Sequence, residues 1–320
     1  MSFIVAVMLL TVTTAVACAL PGTFLVLRGQ SMLVDGLSHA VLPGIVIGAI
    51  ISGSAHSPLM TIIATLCGLV VVIGADKLKR TGLLTGDANQ GVIFPALFAL
   101  GVLLLSTSLA GVHICANTVL VGDLNLMALE TEHLVWAGLD FGPRMMWVLI
   151  GVVALNAAFT VVTYRVLQSA TFDRDFAKVS GMPVKIVDIT FMILVALTVV
   201  TAFNVAGAIL VIALMVVPAA TAVLFSRSLI SVIVNSLVIA VASGLTGFLV
   251  AWYADVPTTP MMAFVDGFVF CAVMVAEVFY RKAIRAGRSR GAEEKSAEMS
   301  QFLAVTRDTA KKIDVGDLRA

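Results

Sequence analysis

The sequence has 320 residues, of which 60% are hydrophobic and only 12% are charged, and its mean hydropathy is +1.08. This composition excludes a soluble globular protein and is typical of a chain that crosses the membrane several times. The formal net charge is only +1, and we expect no nucleic-acid partner. The four cysteines are scattered without a CxxC spacing, which argues against a disulfide framework and a thiolate metal site.

Long apolar runs recur from the first residues to about Tyr280, and each is long enough for a hydrocarbon core that needs about 20 apolar residues. The N-terminal run lacks a basic leader and a clear cleavage site, so we count it as the first span. We therefore expect an all-α, polytopic membrane protein with about nine transmembrane helices. The predicted spans are 3–27, 33–52, 58–76, 90–111, 145–167, 187–203, 206–226, 229–253 and 261–280.

Basic residues cluster in alternate loops, and the positive-inside rule places those loops in the cytoplasm. The N-terminus is then outside and the C-terminus is cytoplasmic, and nine spans satisfy that parity. Arg144 is the one basic residue predicted on the outer side. The cytoplasmic basic residues are Arg28, Lys77, Lys79, Arg80, Arg165, Arg174, Lys178, Lys185 and Arg227, followed by those of the tail from Arg281 onward.

Asp35 and His39 stand four residues apart at the head of the second predicted span. Side chains one helical turn apart lie on the same face of a helix. A carboxylate oxygen and an imidazole nitrogen suit divalent manganese, iron or zinc. Because ionisable groups inside a span are costly and often mark ion pathways, the pair predicts a metal site for an ion in transit.

Two structural interpretations of this pair stay open. His39 could be a hydrogen-bonded core histidine, and Asp35 could cap the second span, since it lies close to the basic loop. A residue so near the cytoplasmic end would not mark the middle of the membrane. We expect Gly36, Pro43 and Gly44 to break the helix and so place the pair deeper, as discontinuous helices do in transporters.

The cytoplasmic stretch 168–185 has a polar start, a short helical pattern and a stop at Gly181 and Pro183. It predicts a short helix between two spans, with Thr171 as its N-cap. Its apolar stripe consists of Phe172, Phe176 and Val179. An exposed apolar stripe in the cytoplasm indicates a protein partner, although packing against the protein's own spans is the alternative.

Three blocks of the sequence are distinctive in combination: the run Asp35 to Gly44, the loop Phe172-Asp173-x-x-Phe176-Ala177-x-x-x-Gly181-x-Pro183, and the run Val205 to Leu210 continued by Val217 to Ala222. Together they resemble the permease subunits of ABC importers for manganese, zinc and iron, and with the span order they cover nearly everything up to about Tyr280. The first block spells Ser-His-Ala-Val-Leu-Pro-Gly at 38–44, a spelling more similar to the manganese and iron branch than to the zinc branch.

The resemblance implies a transmembrane permease domain at 1–281, with a cytoplasmic tail at 282–320, in a prokaryotic plasma (inner) membrane. It implies pairing with a second permease, either an identical copy or a paralogue. An extracellular or periplasmic protein would deliver the ion, and Asp35 and His39 would coordinate it, so that two copies offer two carboxylates and two imidazoles. Manganese ranks first, then iron, with a zinc importer as the alternative.

The resemblance also implies that the loop at 168–185 is a coupling helix that docks an ABC ATPase subunit. The sequence lacks a GxxxxGK[ST] phosphate loop, so ATP would be bound and hydrolysed by that partner, and the chain itself is not expected to be an enzyme or to hold a cofactor. The coupling residues that match the family's loop are Phe172, Asp173, Phe176, Ala177, Gly181 and Pro183.

Two functions of other classes compete with this hypothesis. An ion-coupled secondary carrier could use Asp35, Asp266 and Glu277 as relay groups, and its uptake would collapse with an uncoupler. An intramembrane hydrolase could use Asp35 and His39 as a metal site, but it would need a third ligand and an activated water, for which the sequence offers no obvious residue.

Overall fold

Helices make up almost all of the computed structural model, which describes residues 3–52, 58–82, 88–108, 122, 124–129, 133–136 and 139–282. The all-α class is therefore confirmed. The cytoplasmic tail predicted after residue 282 lies outside the described residues. The helices are α1 (Phe3–Leu27), α2 (Met32–Ser52), α3 (Pro58–Arg80), α4 (Ala88–Ser108), α5 (Leu124–Ala128), α6 (Arg144–Phe172), α7 (Arg174–Val179), α8 (Val184–Phe225), α9 (Leu229–Ala254) and α10 (Thr258–Lys282).

Five of the helices in the described ranges are long and apolar enough to cross a membrane: α1, α6, α8, α9 and α10. Helices α2, α3 and α4 contain the shorter apolar stretches Met32–Gly48, Leu59–Ala75 and Gly91–Leu104. The predicted number of nine spans stays a prediction. The chain forms two compact units, Met1–Cys271 and Ala272–Ala320, and the described part of the second is the end of α10.

Helix α8 has 42 residues and folds back on itself near Gly207, whose φ of 72° and ψ of 168° are not helical. Two contacts with α1 show the reversal. Arg28 pairs with Asp188 at 2.9 Å, and the backbone of Met215 abuts Gly22. In a straight helix, Asp188 and Met215 would stand about 40 Å apart, whereas Gly22 and Arg28 are separated by less than two turns of α1. Glycine permits this bend because it tolerates a positive φ.

Helix α1 lies at the centre of the first unit, between α6, α8 and α9. Two of its threonines form hydrogen bonds within the helix, since the hydroxyl of Thr14 donates to the carbonyl of Leu10 at 2.7 Å and that of Thr23 donates to the carbonyl of Ala19 at 2.8 Å. A side chain on Gly22 would collide with the backbone of Met215. Small residues at such crossings let helices approach closely, which is how membrane helices gain packing energy without a hydrophobic driving force.

The predicted outer side carries α5 and a short hairpin that sequence patterns did not indicate, β1 (His133–Trp136) and β2 (Leu139–Pro143). The strands run antiparallel, with Val135 opposite Asp140. Helix α5 is tied to the start of α10, because Asn125 donates to the hydroxyl of Thr258 at 2.7 Å. Gly122 lies against the bend of α8, where a side chain on it would meet the backbone of Ala206 and Gly207.

Candidate metal centre

Asp35 and His39 lie side by side on one face of α2, with Asp35 Oδ1 and His39 Nε2 3.4 Å apart. Their side chains are 34% and 31% exposed, so both ligand atoms can be reached from outside the chain. Asp35 is in the first turn of α2, where the helix dipole favours a negative charge. It is not the N-cap, because α2 begins at Met32. The pair therefore has the orientation of two ligands that can share one cation.

The break expected in α2 at Gly36, Pro43 and Gly44 is absent, and that expectation is wrong. The helix is continuous from Met32 to Ser52. The small residues serve close packing instead, since a side chain on Gly44 would collide with the backbone of α3. Pro43 cannot donate a helical hydrogen bond, but α4 presses against it at Gly101, where a Cβ would lie 2.8 Å from the proline ring.

The depth of the pair follows from Leu37, which lies between its two members. A Cβ on Gly68 would lie 3.2 Å from Leu37 and 3.5 Å from Ala196. Gly68 is near the middle of α3, and Ala196 is near the middle of the first half of α8. Asp35 and His39 are therefore level with the middle of two neighbouring helices, even though Asp35 is near the start of its own.

Two phenylalanines of α4 hold the imidazole of His39, and sequence reasoning missed them. The ring of Phe94 is stacked on it, with centroids 5.5 Å apart and planes 12° apart. Phe98 meets it edge to face at 5.1 Å and 74°. Such aromatic pairs restrict ring orientation and are worth about 0.5–1.5 kcal/mol beyond burial. In the sequence, only the four-residue spacing of Phe94 and Phe98, which puts both rings on one face of a helix, could have indicated this pair.

A single copy of the chain offers few ligands at this place. Within the part of the chain that the structure describes, no group of three or more His, Cys, Asp or Glu side chains could hold a metal ion. Divalent transition metals generally take four or more ligands. Asp35 and His39 supply two potential ligand side chains, which is fewer than such a metal generally takes.

The cytoplasmic helix α7 begins differently from the prediction. Its N-cap is Asp173, whose side chain accepts a hydrogen bond from the N–H of Phe176 at 2.9 Å. The cap predicted at Thr171 is wrong, because α6 continues to Phe172 and the Thr171 hydroxyl donates to the carbonyl of Leu167 at 2.6 Å. The extended backbone of Asp173, with φ −146° and ψ 91°, separates the two helices.

The predicted end of α7 and its apolar stripe are both present. Gly181 has a positive φ of 73°, which permits the N–H of Met182 to bond to the carbonyl of Ala177 at 3.1 Å. Pro183 then precedes α8. Ala177 is fully buried, whereas the stripe faces outward. The exposed stripe consists of Phe172, Phe176 and Val179.

The stripe does not pack against the described spans, which was the alternative. Beside it, Lys178 pairs with Asp175 at 2.8 Å, and this lysine lowers the pKa of the exposed Asp175 carboxyl. An apolar stripe bordered by charges is the usual composition of a surface that docks another protein.

Asp266 and Glu277, the other two residues considered as relay groups, have hydrogen-bond partners of their own. Asp266 is fully buried in α10 and accepts a hydrogen bond from the Ser243 hydroxyl at 2.8 Å. Glu277 accepts from Arg281 at 2.7 Å.

The sequence matches the family model described as "ABC 3 transport family" over residues 1–277. It is 34% identical over 275 residues to the manganese transport system membrane protein MntD of Bacillus subtilis (strain 168), covering 86% of this chain and 92% of MntD. It is 38% identical over 213 residues to the zinc transport system membrane protein TroD of Treponema pallidum (strain Nichols), covering 66% of this chain and 57% of TroD. Further relatives carry names of iron transport systems.

Among solved structures, the fold is similar to that described as "PsaBC from Streptococcus pneumoniae in complex with Fab". The TM-score is 0.69 at 25% sequence identity, and the match covers 85% of this chain and 91% of that one.

Proposed function

The chain belongs to the ABC 3 transport family, a family of metal-transport membrane proteins, and from this premise we propose that it is the permease subunit of an ATP-driven importer of divalent metal ions. Manganese is the first candidate substrate, iron the second and zinc the alternative. The relatives named for manganese, zinc and iron support the class of ion, and the Ser-His-Ala-Val-Leu-Pro-Gly spelling at 38–44 supports the order.

The observation that carries the proposal is the pairing of Asp35 and His39, which lie level with the middle of α3 and with the middle of the first half of α8. A carboxylate and an imidazole on one helical face bind divalent manganese, iron and zinc, while their partial exposure lets an ion arrive and leave. Nitrogen and oxygen sites hold zinc more tightly than manganese. Selection of manganese therefore depends on geometry, on the protein that delivers the ion and on the supply of metal.

A second permease, either an identical copy or a paralogue, completes the site. Two copies facing each other present two carboxylates and two imidazoles to one ion, which supplies the ligands that one chain lacks. The exposed fractions of Asp35 and His39 suit this arrangement, since both side chains remain reachable from outside the chain.

An ABC ATPase subunit docks on the cytoplasmic helix α7, through the exposed stripe of Phe172, Phe176 and Val179. Asp173, Ala177, Gly181 and Pro183 shape this loop, and the ATPase supplies ATP binding and hydrolysis. In this orientation the N-terminus is outside a prokaryotic plasma membrane and the C-terminus is cytoplasmic. An extracellular or periplasmic binding protein delivers the ion to the outer side.

Transport proceeds by alternating access. Closure of the ATPase partners on ATP moves α7, and the spans then open toward the cytoplasm while Asp35 and His39 hold the ion in transit. The ion is cargo, so the site needs moderate affinity and a way out rather than a closed coordination shell.

The test is elemental analysis of metal accumulated by cells that express the chain with its partner subunits. Wild type is compared with Asp35→Ala and His39→Ala at matched membrane expression. Ser38→Ala is the matched control, because Ser38 lies between the two ligands but is buried and donates to the carbonyl of Val34 at 2.9 Å.

We expect manganese or iron uptake to disappear in both ligand variants and to persist in the control, with the complex still assembled. The element that accumulates in wild type then identifies the substrate, and zinc would select the alternative. Uptake that survives both substitutions would contradict the role of the pair.

A further inference from the structure

One carboxylate, that of Asp188, joins three segments of the chain at the predicted cytoplasmic side. Its Oδ1 accepts from Arg28 Nη1 at 2.9 Å, and its Oδ2 accepts from Arg174 Nη2 at 2.6 Å. Arg28 Nε also donates to the Thr171 hydroxyl at 3.1 Å. The residue that follows α1, the end of α6, the start of α7 and the start of α8 therefore meet at one point.

The two halves of this network differ in exposure. The side chains of Arg28 and Asp188 are 10% and 15% exposed, and the guanidinium of Arg28 lies 5.0 Å from the centroid of the Phe191 ring. Arg174 is 58% exposed. Burial lowers the pKa of Arg28, and the charge of Asp188 opposes that shift. The inner pair is shielded from salt, whereas the outer arginine can move with α7.

The inner end of the network continues directly into the helix that carries the metal pair. After Arg28 the chain makes a hydrogen-bonded turn, in which the N–H of Gln30 donates to Leu25 at 2.9 Å and the N–H of Leu33 donates to Gln30 at 3.0 Å. Helix α2 starts within this turn at Met32, and Asp35 follows three residues later. Because this turn is held by hydrogen bonds, a displacement of Arg28 also displaces the start of α2.

We propose that Asp188 is the positioning residue that couples α7 to the metal site, because it ties Arg174 of α7 to Arg28 at the base of α2. This inference rests on the proposed function, in which α7 receives the movement of the ATPase. The two ion pairs of Asp188 transmit the movement of α7 to Arg28. Asp188 touches neither metal nor ATPase in this role.

The test uses the complete complex, reconstituted in proteoliposomes with its ATPase and binding protein and with Mn²⁺ as the probe. Uptake of Mn²⁺ and ATP hydrolysis are measured together for wild type and Asp188→Asn. The substitution keeps the shape of the side chain but removes the charge that holds both arginines. We expect ATP hydrolysis to continue, while the number of ions moved per ATP falls by about tenfold or more.

Arg174→Gln provides a second variant if Asp188→Asn lowers the amount of folded protein, because Arg174 is exposed and its loss leaves the buried pair intact. It should lower the ion-to-ATP ratio in the same direction, and Arg174→Lys should restore most of it. Lys178→Gln is the matched control on the same helix, since Lys178 pairs only with the exposed Asp175 among the ion pairs described for α7.

A merely structural network predicts a different outcome. Uptake and hydrolysis would then fall together, in proportion to the amount of folded complex, and their ratio would stay at the wild-type value in both variants. That result would overturn the inference. A wild-type complex that fails to take up Mn²⁺, Fe²⁺ or Zn²⁺ on ATP addition would instead overturn the proposed function itself.

Discussion

The imidazole of His39 lies parallel to the ring of Phe94, with centroids 5.5 Å apart, although the two residues belong to different helices and are 55 positions apart in the sequence. Phe98 contacts the imidazole edge to face. Because His39 Nε2 points at Asp35, the aromatic contacts fix the direction in which this nitrogen offers its lone pair or its proton. Helix α4 therefore contributes to the proposed metal site by orienting His39.

Phe94→Leu should raise the metal concentration that gives half-maximal uptake, and it should change the maximal uptake rate less. Leucine fills most of the space but cannot stack, so the loss of about 0.5–1.5 kcal/mol corresponds to an increase of about two- to tenfold in the half-saturating metal concentration. The measurement is initial uptake rate against metal concentration. Phe268→Leu is the control, because Phe268 is exposed on α10. An unchanged half-saturation for Phe94→Leu would show that the stack does not position His39.

Gly22→Ala should destabilise the protein, because the added Cβ would collide with the backbone of Met215 where α1 crosses α8. Overpacking of this kind costs about 1–3 kcal/mol. The thermal midpoint of the purified protein in detergent reports the loss. Gly151→Ala is the control, since a Cβ there meets nothing within 4 Å and alanine is the better helix former. Equal midpoints for the two variants would contradict the close crossing.

Gly207→Ala should impair the fold-back of α8. Its φ of 72° is strained for any residue with a side chain, and the bend also lies against Gly122. A residue held in such a backbone region costs about 1–3 kcal/mol. The yield of folded protein and its thermal midpoint should fall, while Gly267→Ala, which faces open space, should be neutral. A neutral Gly207→Ala would mean that the chain reverses elsewhere.

Phe176→Asp should abolish co-purification of the ATPase subunit while the permease itself stays folded, because it places a charge in the exposed apolar stripe. Thr81→Asp introduces the same charge on the turn after α3 and should leave the ATPase bound. The measurement is the ATPase-to-permease ratio after affinity purification. An ATPase retained by Phe176→Asp would place the docking surface outside α7.

Asp266→Asn should leave metal uptake at the wild-type level and insensitive to an uncoupler. The amide is nearly isosteric and can still accept from the Ser243 hydroxyl, so the buried contact between α9 and α10 survives. An ion-coupled carrier that used this carboxyl as a relay would instead lose transport. The comparison of uptake with and without uncoupler, in both proteins, separates the two classes.

Much of the helical layout could be predicted from the sequence, because the length of an apolar run indicates directly whether a helix can cross the hydrocarbon core. The run 3–27 coincides with α1, and the run 229–253 ends one residue before α9 does. The stop at Gly181 was also predictable, since a positive φ favours glycine. These features depend on local sequence alone.

Contacts between helices could not be predicted in the same way. The sequence has 17 phenylalanines, and nothing in an apolar run distinguishes Phe94 from those that face lipid. The break expected in α2 failed because packing against Gly101 and α3 overrides the local effect of Pro43. The Asp188 network was hidden for a related reason, since its arginines are 146 positions apart and meet only where the start of α8 packs beside the end of α1.

The crossing of Gly22 and Met215 also sets an order of events during synthesis. Helix α1 leaves the ribosome first, yet the surface that covers it is made 193 residues later. At about 5–20 residues per second, α1 waits on the order of ten seconds or more before its main neighbour exists. Thr14 and Thr23, which donate to carbonyls of their own helix, keep their hydroxyls satisfied in lipid during that interval. A polar substitution in α1 would therefore impair membrane insertion itself, before the folded protein exists.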